Sequence, residues 1–100
     1  MSLQTKLEKN RLTIYLPQVF DINLYEAFND SYKAFESQLE EVILDFSDTV
    51  RIDSAALGLM LLLRQKTHLE QSALKIVNAN SEKVKKSLDI AQFGKLFEIV

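Results

Sequence analysis

Apolar positions along the chain recur at two spacings, and the switches between them divide it into strands and helices. Leu12, Ile14 and Leu16 alternate with Arg11, Thr13 and Tyr15. A period of two predicts a strand with one buried face. The shorter run Thr5 to Glu8 precedes it, and Lys9-Asn10 forms a two-residue hairpin turn in which Asn accommodates positive φ. Pro17 has no amide hydrogen to give a sheet, so it ends the second strand and opens a loop to Asp21. Beyond it the spacing changes to Leu24, Ala27, Phe28, Ser31 and Phe35, which predicts a helix. Asn23 and Glu26 supply a capping-box-like start.

Val42-Ile43-Leu44-Asp45-Phe46 is short and almost continuously apolar, the pattern of a strand covered on both faces. A polar loop, Ser47 to Asp53, then leads to a second helix from about Ser54 to Leu69. Leu74 to Val77 is another buried-type strand. Ser81 caps a third helix with Val84 and Leu88 inside, Gly94 terminates it, and Phe97 to Val100 forms a last strand. The order β-β-α-β-α-β-α-β predicts an α/β fold: a mixed sheet of four to five strands with three to four helices. The parallel pairs are joined by right-handed crossovers, and the hairpin supplies an antiparallel edge.

Composition narrows the class. A chain of 100 residues that is 47% hydrophobic, with 2 Gly and 1 Pro, suits one domain over residues 1–100 with short loops. The formal charge of −2 provides no basic footprint for nucleic acid and no polybasic membrane anchor. Met1 to Arg11 lacks the apolar run of a signal peptide, and Ala55 to Leu63 is far shorter than the roughly 20 residues of a membrane span. No cysteine is present, so disulfides and thiol catalysis are excluded and a cytoplasmic location is expected.

The chemistry concentrates where the buried strand crosses into the second helix, at Asp53-Ser54-Ala55-Ala56-Leu57-Gly58. A serine at a helix mouth has two uses. It can cap an orphan amide of the first turn. It can also carry a phosphate, which finds backbone donors and a positive dipole end beside it. Phosphorylation adds roughly −1.5 to −2 charges at one surface point. Next to Asp53 that concentrates negative charge and repels a partner docked there.

The segment resembles the STAS-domain family, whose anti-sigma factor antagonists carry a strand ending in Asp, a short loop and a D-S-S-G-L-G motif. The phosphorylated serine of that motif falls on Ser54, and Asp21 falls where the family has an acidic residue before its first helix. The likeness in element order extends over nearly the whole chain. It implies a binding switch: the unphosphorylated form captures an anti-sigma factor that is also a GHKL-type serine kinase. That kinase phosphorylates the antagonist with ATP and lets go, and a PP2C-type serine phosphatase restores it. ATP is then expected on the partner, and no cofactor, metal or catalytic residue on this chain. Two departures stand out. Ala55 and Ala56 replace Ser-Gly, and Leu16-Pro17-Gln18 lacks the glycine many members have. The alternative within the family is a structural module, either a stressosome scaffold or the soluble subunit of a lipid or anion transporter.

A helical wheel puts Leu57, Leu61, Arg64 and His68 on one side of the second helix, with Ala55, Leu59, Leu62 and Leu63 opposite as its core face. The resemblance implies Asp21, Asp53, Ser54, Ala55 and Ala56 as partner-binding residues, and the wheel adds Leu57, Leu61 and Arg64. Hydrolysis finds no support. The single histidine, His68, lies about 21 Å along the helix from Ser54. Asp45 at a strand end suggests a phosphate-accepting receiver, but no acidic pair ends the first strand, so Asp45 is expected to bond loop amides. One histidine without cysteine disfavours transition metals.

Overall fold

The computed structural model describes residues 2–100. Strands β1 (Gln4–Glu8) and β2 (Arg11–Tyr15) form the antiparallel hairpin, in register from Gln4 opposite Tyr15 to Glu8 opposite Arg11. Its turn differs from expectation in one residue: Lys9, with φ 57°, takes the left-handed conformation rather than Asn10. After β2 come β3 (Val19–Phe20), α1 (Tyr25–Lys33), β4 (Glu41–Asp45), β5 (Arg51–Ile52) and α2 (Ser54–Thr67). Strand β6 (Leu74–Val77), α3 (Glu82–Ile90) and β7 (Glu98–Ile99) complete the chain. The five-stranded sheet has the order β1-β2-β4-β6-β7, parallel throughout except for the hairpin. The mixed α/β architecture is the expected one.

Two loops expected to be irregular contain structure. β3 lies in the loop after Pro17 and β5 in the loop before Asp53, and they pair in parallel as a separate two-stranded sheet. Two-residue strands leave no periodic trace in sequence.

The sheet has one covered face. β2, β4, β6 and β7 succeed one another across it in chain order, so each right-handed crossover advances in the same direction and lands its helix on the same side. Leu12, Ile14, Val42, Leu44, Leu74 and Ile76 point to that side and are fully buried. Thr13, Tyr15, Ile43, Asp45, Lys75 and Val77 alternate with them and stay half-exposed. The expectation that β4 is covered on both faces is therefore corrected, and β6 alternates in the same way. Ile43 and Val77 made those runs look continuous, although they lie on the outer face.

Helix boundaries shift for local reasons. Asp21, not Asn23, supplies the first cap, at the start of a 3-10 turn over Ile22–Leu24 that leads into α1. Ala27, Phe28 and Tyr32 form the inner side of α1. Burial pushes the Tyr32 phenol up to about 12. Phe20 of β3 meets Phe28 at 5.2 Å and Phe46 at 6.2 Å between ring centroids, which anchors the small sheet to the core. Ser81 caps α3 as expected, and Val84 and Leu88 are buried. That helix ends at Ile90, with Gln92 in the left-handed region at φ 56°. Gly94 sits in a subsequent 3-10 turn instead of terminating the helix.

The outer face carries an ion cluster spanning three strands. Glu41 on β4 bridges Arg11 of β2 and Lys75 of β6, the latter at 2.7 Å. The Lys75 hydrogen bond, opposed by partial burial, holds the Glu41 carboxyl below its ordinary value. A lowered carboxyl pKa contributes stability above the unfolded-state value, and that stability is lost as pH falls through the folded-state value. Glu41→Gln is therefore expected to flatten the acid limb of the stability profile below about pH 4.5. Urea unfolding of both proteins at several pH values between 7 and 3 measures this, and parallel acid limbs would contradict it.

Candidate functional site

The parallel strands β2, β4 and β6 all end at one edge, so the loops after them meet there. Their ladder continues into the loops: Leu16 N–H donates to Asp45 O and Phe46 N–H to Val77 O, each at 3.0 Å. The Asp45 carboxylate accepts from Ser47 N–H at 2.9 Å and from Asn78 Nδ2 at 3.2 Å, the loop-bonding role expected of it. Thr49 is buried, and its hydroxyl donates to Pro17 O at 2.8 Å. Val50 and Arg51 N–H both donate to Gln18 O, at 2.8 and 3.2 Å. Ser81 Oγ reaches Val50 O at 3.4 Å, which brings the third loop into the same cluster.

This tethering places two acidic residues side by side. Phe20 is in register with Ile52 across the β3–β5 pair. Asp21 and Asp53 each come one residue later, so they stand at adjacent positions, with strands about 4.8 Å apart. Each caps the helical turn that begins after it. Asp21 Oδ1 accepts from Asn23 N–H, and Asp53 Oδ1 accepts from Ala56 N–H, each at 2.9 Å. Asp53 has the extended backbone of an N-cap, φ −126° and ψ −176°.

Ser54 is consequently not the cap. It is the first residue of α2, and its side chain is exposed at the helix mouth beside Asp53. Exposure there leaves the hydroxyl accessible from outside. Asp21, Asp45, Asp48 and Asp53 make this edge predominantly acidic, with Arg51 as the nearby cation in sequence.

The remaining expected site residues divide. Ala55 and Leu57 are half-buried, and Leu57 packs against the core. Ala56 is fully buried. Its methyl, where the family motif has glycine, fills core space rather than reaching a docking surface. The core side of α2 is Ala56, Leu59, Met60, Leu63 and Thr67, which corrects the expected side of Ala55, Leu59, Leu62 and Leu63: Ala55 and Leu62 lie at its margin. Leu61 remains 42% exposed. Arg64 stands about 15 Å along the axis from Ser54, so it does not belong to the mouth. Its Nε is covered and lacks a hydrogen-bond partner. The helix stops at Thr67, and His68 takes the left-handed C-cap conformation at φ 58°. His68 and Ser54 thus lie at opposite ends of α2.

Three exposed apolar side chains on this side escaped the sequence reading: Ile22, Tyr25 and Val50, 58%, 50% and 52% exposed. Ile22 and Tyr25 fall off the phase of Leu24, Ala27 and Phe28, and that was the available signal. Val50 lies in a loop where periodicity has no meaning.

The fold and this edge define an α/β fold that presents a serine at a helix mouth, directly after one of two side-by-side capping aspartates. The chain belongs to the STAS-domain family, which residues 3–100 match. It is 33% identical over 88 residues to a STAS-domain containing protein of Pseudomonas aeruginosa strain UCBPP-PA14, covering 88% of this chain and 86% of that one. In structure it resembles the anti-sigma factor antagonist SpoIIAA in its unphosphorylated form, with a TM-score of 0.71 and 16% identity over 99% of this chain and 87% of that one. It also resembles the protein TM1081, with a TM-score of 0.78 and 17% identity over 100% and 81% of the two chains. At those identities the structural likeness shows the fold. Among the described residues, no helix is long and apolar enough to cross a membrane.

Loss of the Asp53 cap is expected to cost about 1 kcal/mol, whereas loss of the exposed Ser54 hydroxyl costs little. Denaturant melts of Asp53→Ala and Ser54→Ala test this division. Equal destabilisation by the two would return a capping role to Ser54.

Proposed function

We propose that this protein is an anti-sigma factor antagonist whose partner binding is switched off by phosphorylation of Ser54. The observation that carries the reading is the exposed Ser54 hydroxyl at the first position of α2, with the capping duty held by Asp53. The unphosphorylated form binds an anti-sigma factor that is also a GHKL-type serine kinase and so releases the sigma factor. ATP belongs to that kinase. The antagonist acts in the cytoplasm by binding, not by catalysis, and a PP2C-type phosphatase resets it.

The electrostatics support an off-switch. The mouth of α2 already bears Asp53, with Asp21 in the neighbouring strand position and Asp45 and Asp48 on the same edge. A phosphoryl group adds roughly −1.5 to −2 charges among these carboxylates. A partner whose surface suits the unmodified edge then meets a concentrated anionic point, and like-charge juxtaposition at an interface costs several kcal/mol. The docking surface comprises the mouth residues Asp21, Asp53, Ser54 and Ala55, and then Leu57, Leu61 and Arg64 along α2. Ala56 supports it from beneath.

The test is a pull-down from the host cell with wild-type, Ser54→Ala and Ser54→Asp protein, and then titration against the purified kinase. Wild type and Ser54→Ala are expected to bind alike, and Ser54→Asp at least about tenfold more weakly, or about 1.4 kcal/mol. Equal affinities would overturn the switch. Recovery of transporter subunits or other STAS proteins, unaffected by the substitution, would instead establish the structural-module role. Leu61→Asp is expected to abolish binding in a folded protein, because Leu61 is exposed. Its far-UV circular dichroism and melting curve should match wild type, and unfolding would assign Leu61 to the core.

A further inference from the structure

Gly58 lies in the interior of α2 and is solvent-exposed. Glycine weakens a helix interior relative to alanine, so its presence there calls for a cause. Neither usual cause applies. The φ of Gly58 is not positive, so the backbone does not require it. A Cβ added at Gly58 would meet nothing within 4 Å, so packing within the chain does not require it either.

Helical periodicity sets Gly58 on the exposed stripe of α2 between Ser54 and Leu61, at spacings of four and three. Leu57 and Arg64 border this stripe. Arg64 forms no ion pair among the described residues, and its covered Nε has no hydrogen-bond partner. A half-buried guanidinium without a counter-charge is complementary to a carboxylate brought from outside.

We infer that Gly58 is the crossing point for a helix of the partner protein, which lays an apolar side chain against Leu61 and directs a carboxylate to Arg64. Packed helices approach to 8–10 Å between axes, and the closest approaches need a small residue at the contact. A methyl at position 58 would stand between the two backbones. The inference rests on the proposal that α2 docks a partner, and it specifies that partner's chemistry: a helical segment that bears a carboxylate at the Arg64 end, away from the acidic mouth, rather than an extended strand or a nucleic acid.

The inference predicts opposite effects of one substitution. Gly58→Ala is expected to raise the melting temperature of the isolated protein by roughly 4–8 °C and to weaken partner contact about tenfold. Contact is read by photo-crosslinking in the host cell with Leu61→p-benzoylphenylalanine, and Leu7→p-benzoylphenylalanine on β1 serves as an exposed control. The position 61 probe should give a discrete adduct, reduced about tenfold by Gly58→Ala and by Arg64→Gln. Its crosslinked peptide should come from a helical segment bearing Asp or Glu within about one turn of the contact.

No adduct specific to position 61, an adduct indifferent to Gly58→Ala, or crosslinking into a segment lacking carboxylates would each overturn the inference. A lowered melting temperature would do the same, by showing that the chain's own fold needs the glycine. Introducing Ser54→Asp beside the probe separates this from the switch. An adduct that survives Ser54→Asp but depends on Gly58 refutes phosphorylation control and leaves the helix crossing standing.

Discussion

The parallel pairing of β2, β4 and β6 is the constraint on which the rest of the molecule depends. A parallel neighbour cannot be reached by a tight turn, so each pair requires a crossover long enough to hold a helix. Because the strands are laid down in one direction across the sheet, all three helices fall on one face. Every strand in the set also ends at the same edge, where three loops are held together. The buried Thr49 hydroxyl on Pro17 O and the paired amides on Gln18 O join the first loop to the second. Ser81 joins the third.

That one-sided construction assigns opposite tasks to the two faces of the sheet. The covered face is aliphatic and fully buried. The open face must stay compatible with water across the width of the sheet, and Arg11, Glu41 and Lys75 accomplish this with a cross-strand ion cluster. Cross-strand pairs of this kind favour one register, since a slip of one residue would carry the charges into the core. The same cluster couples β2, β4 and β6, the strands that position the loops. Its stability contribution and the order of the site edge therefore act on the same three elements.

The sequence disclosed most of the architecture because long periodic segments carry strong signals. The three helices, the hairpin, β4, β6 and a terminal strand near Phe97 were all legible from spacing. What escaped had little local signature. β3 and β5 are two residues each and exist only because they find one another across more than thirty positions. Ile43 and Val77 disguised a one-sided sheet as a two-sided one, since apolar residues on an open face look the same in sequence as those on a covered face. At the site, the sequence reading considered Ser54 alone as the cap, although the aspartate before it is an equally good capping residue. The backbone decides: Asp53 is extended, and Ser54 is already helical.

The assignment of the cap to Asp53 matters for how such a site can switch. If the serine hydroxyl held the first-turn amide, attaching a phosphate would alter the cap and change the stability of α2, mixing a folding effect into a binding effect. With Asp53 holding Ala56 N–H, the proposed modification of Ser54 would change the charge presented at the helix mouth without removing the cap acceptor. The helix dipole favours negative charge at that end, so a phosphate there does not oppose the fold. The burial of Ala56 works in the same direction, since its side chain secures the first turn of α2 to the core from below. Under the proposed switch, Asp53 and Ala56 would anchor the mouth in both states, and the difference between the states would lie in what a partner meets at Ser54.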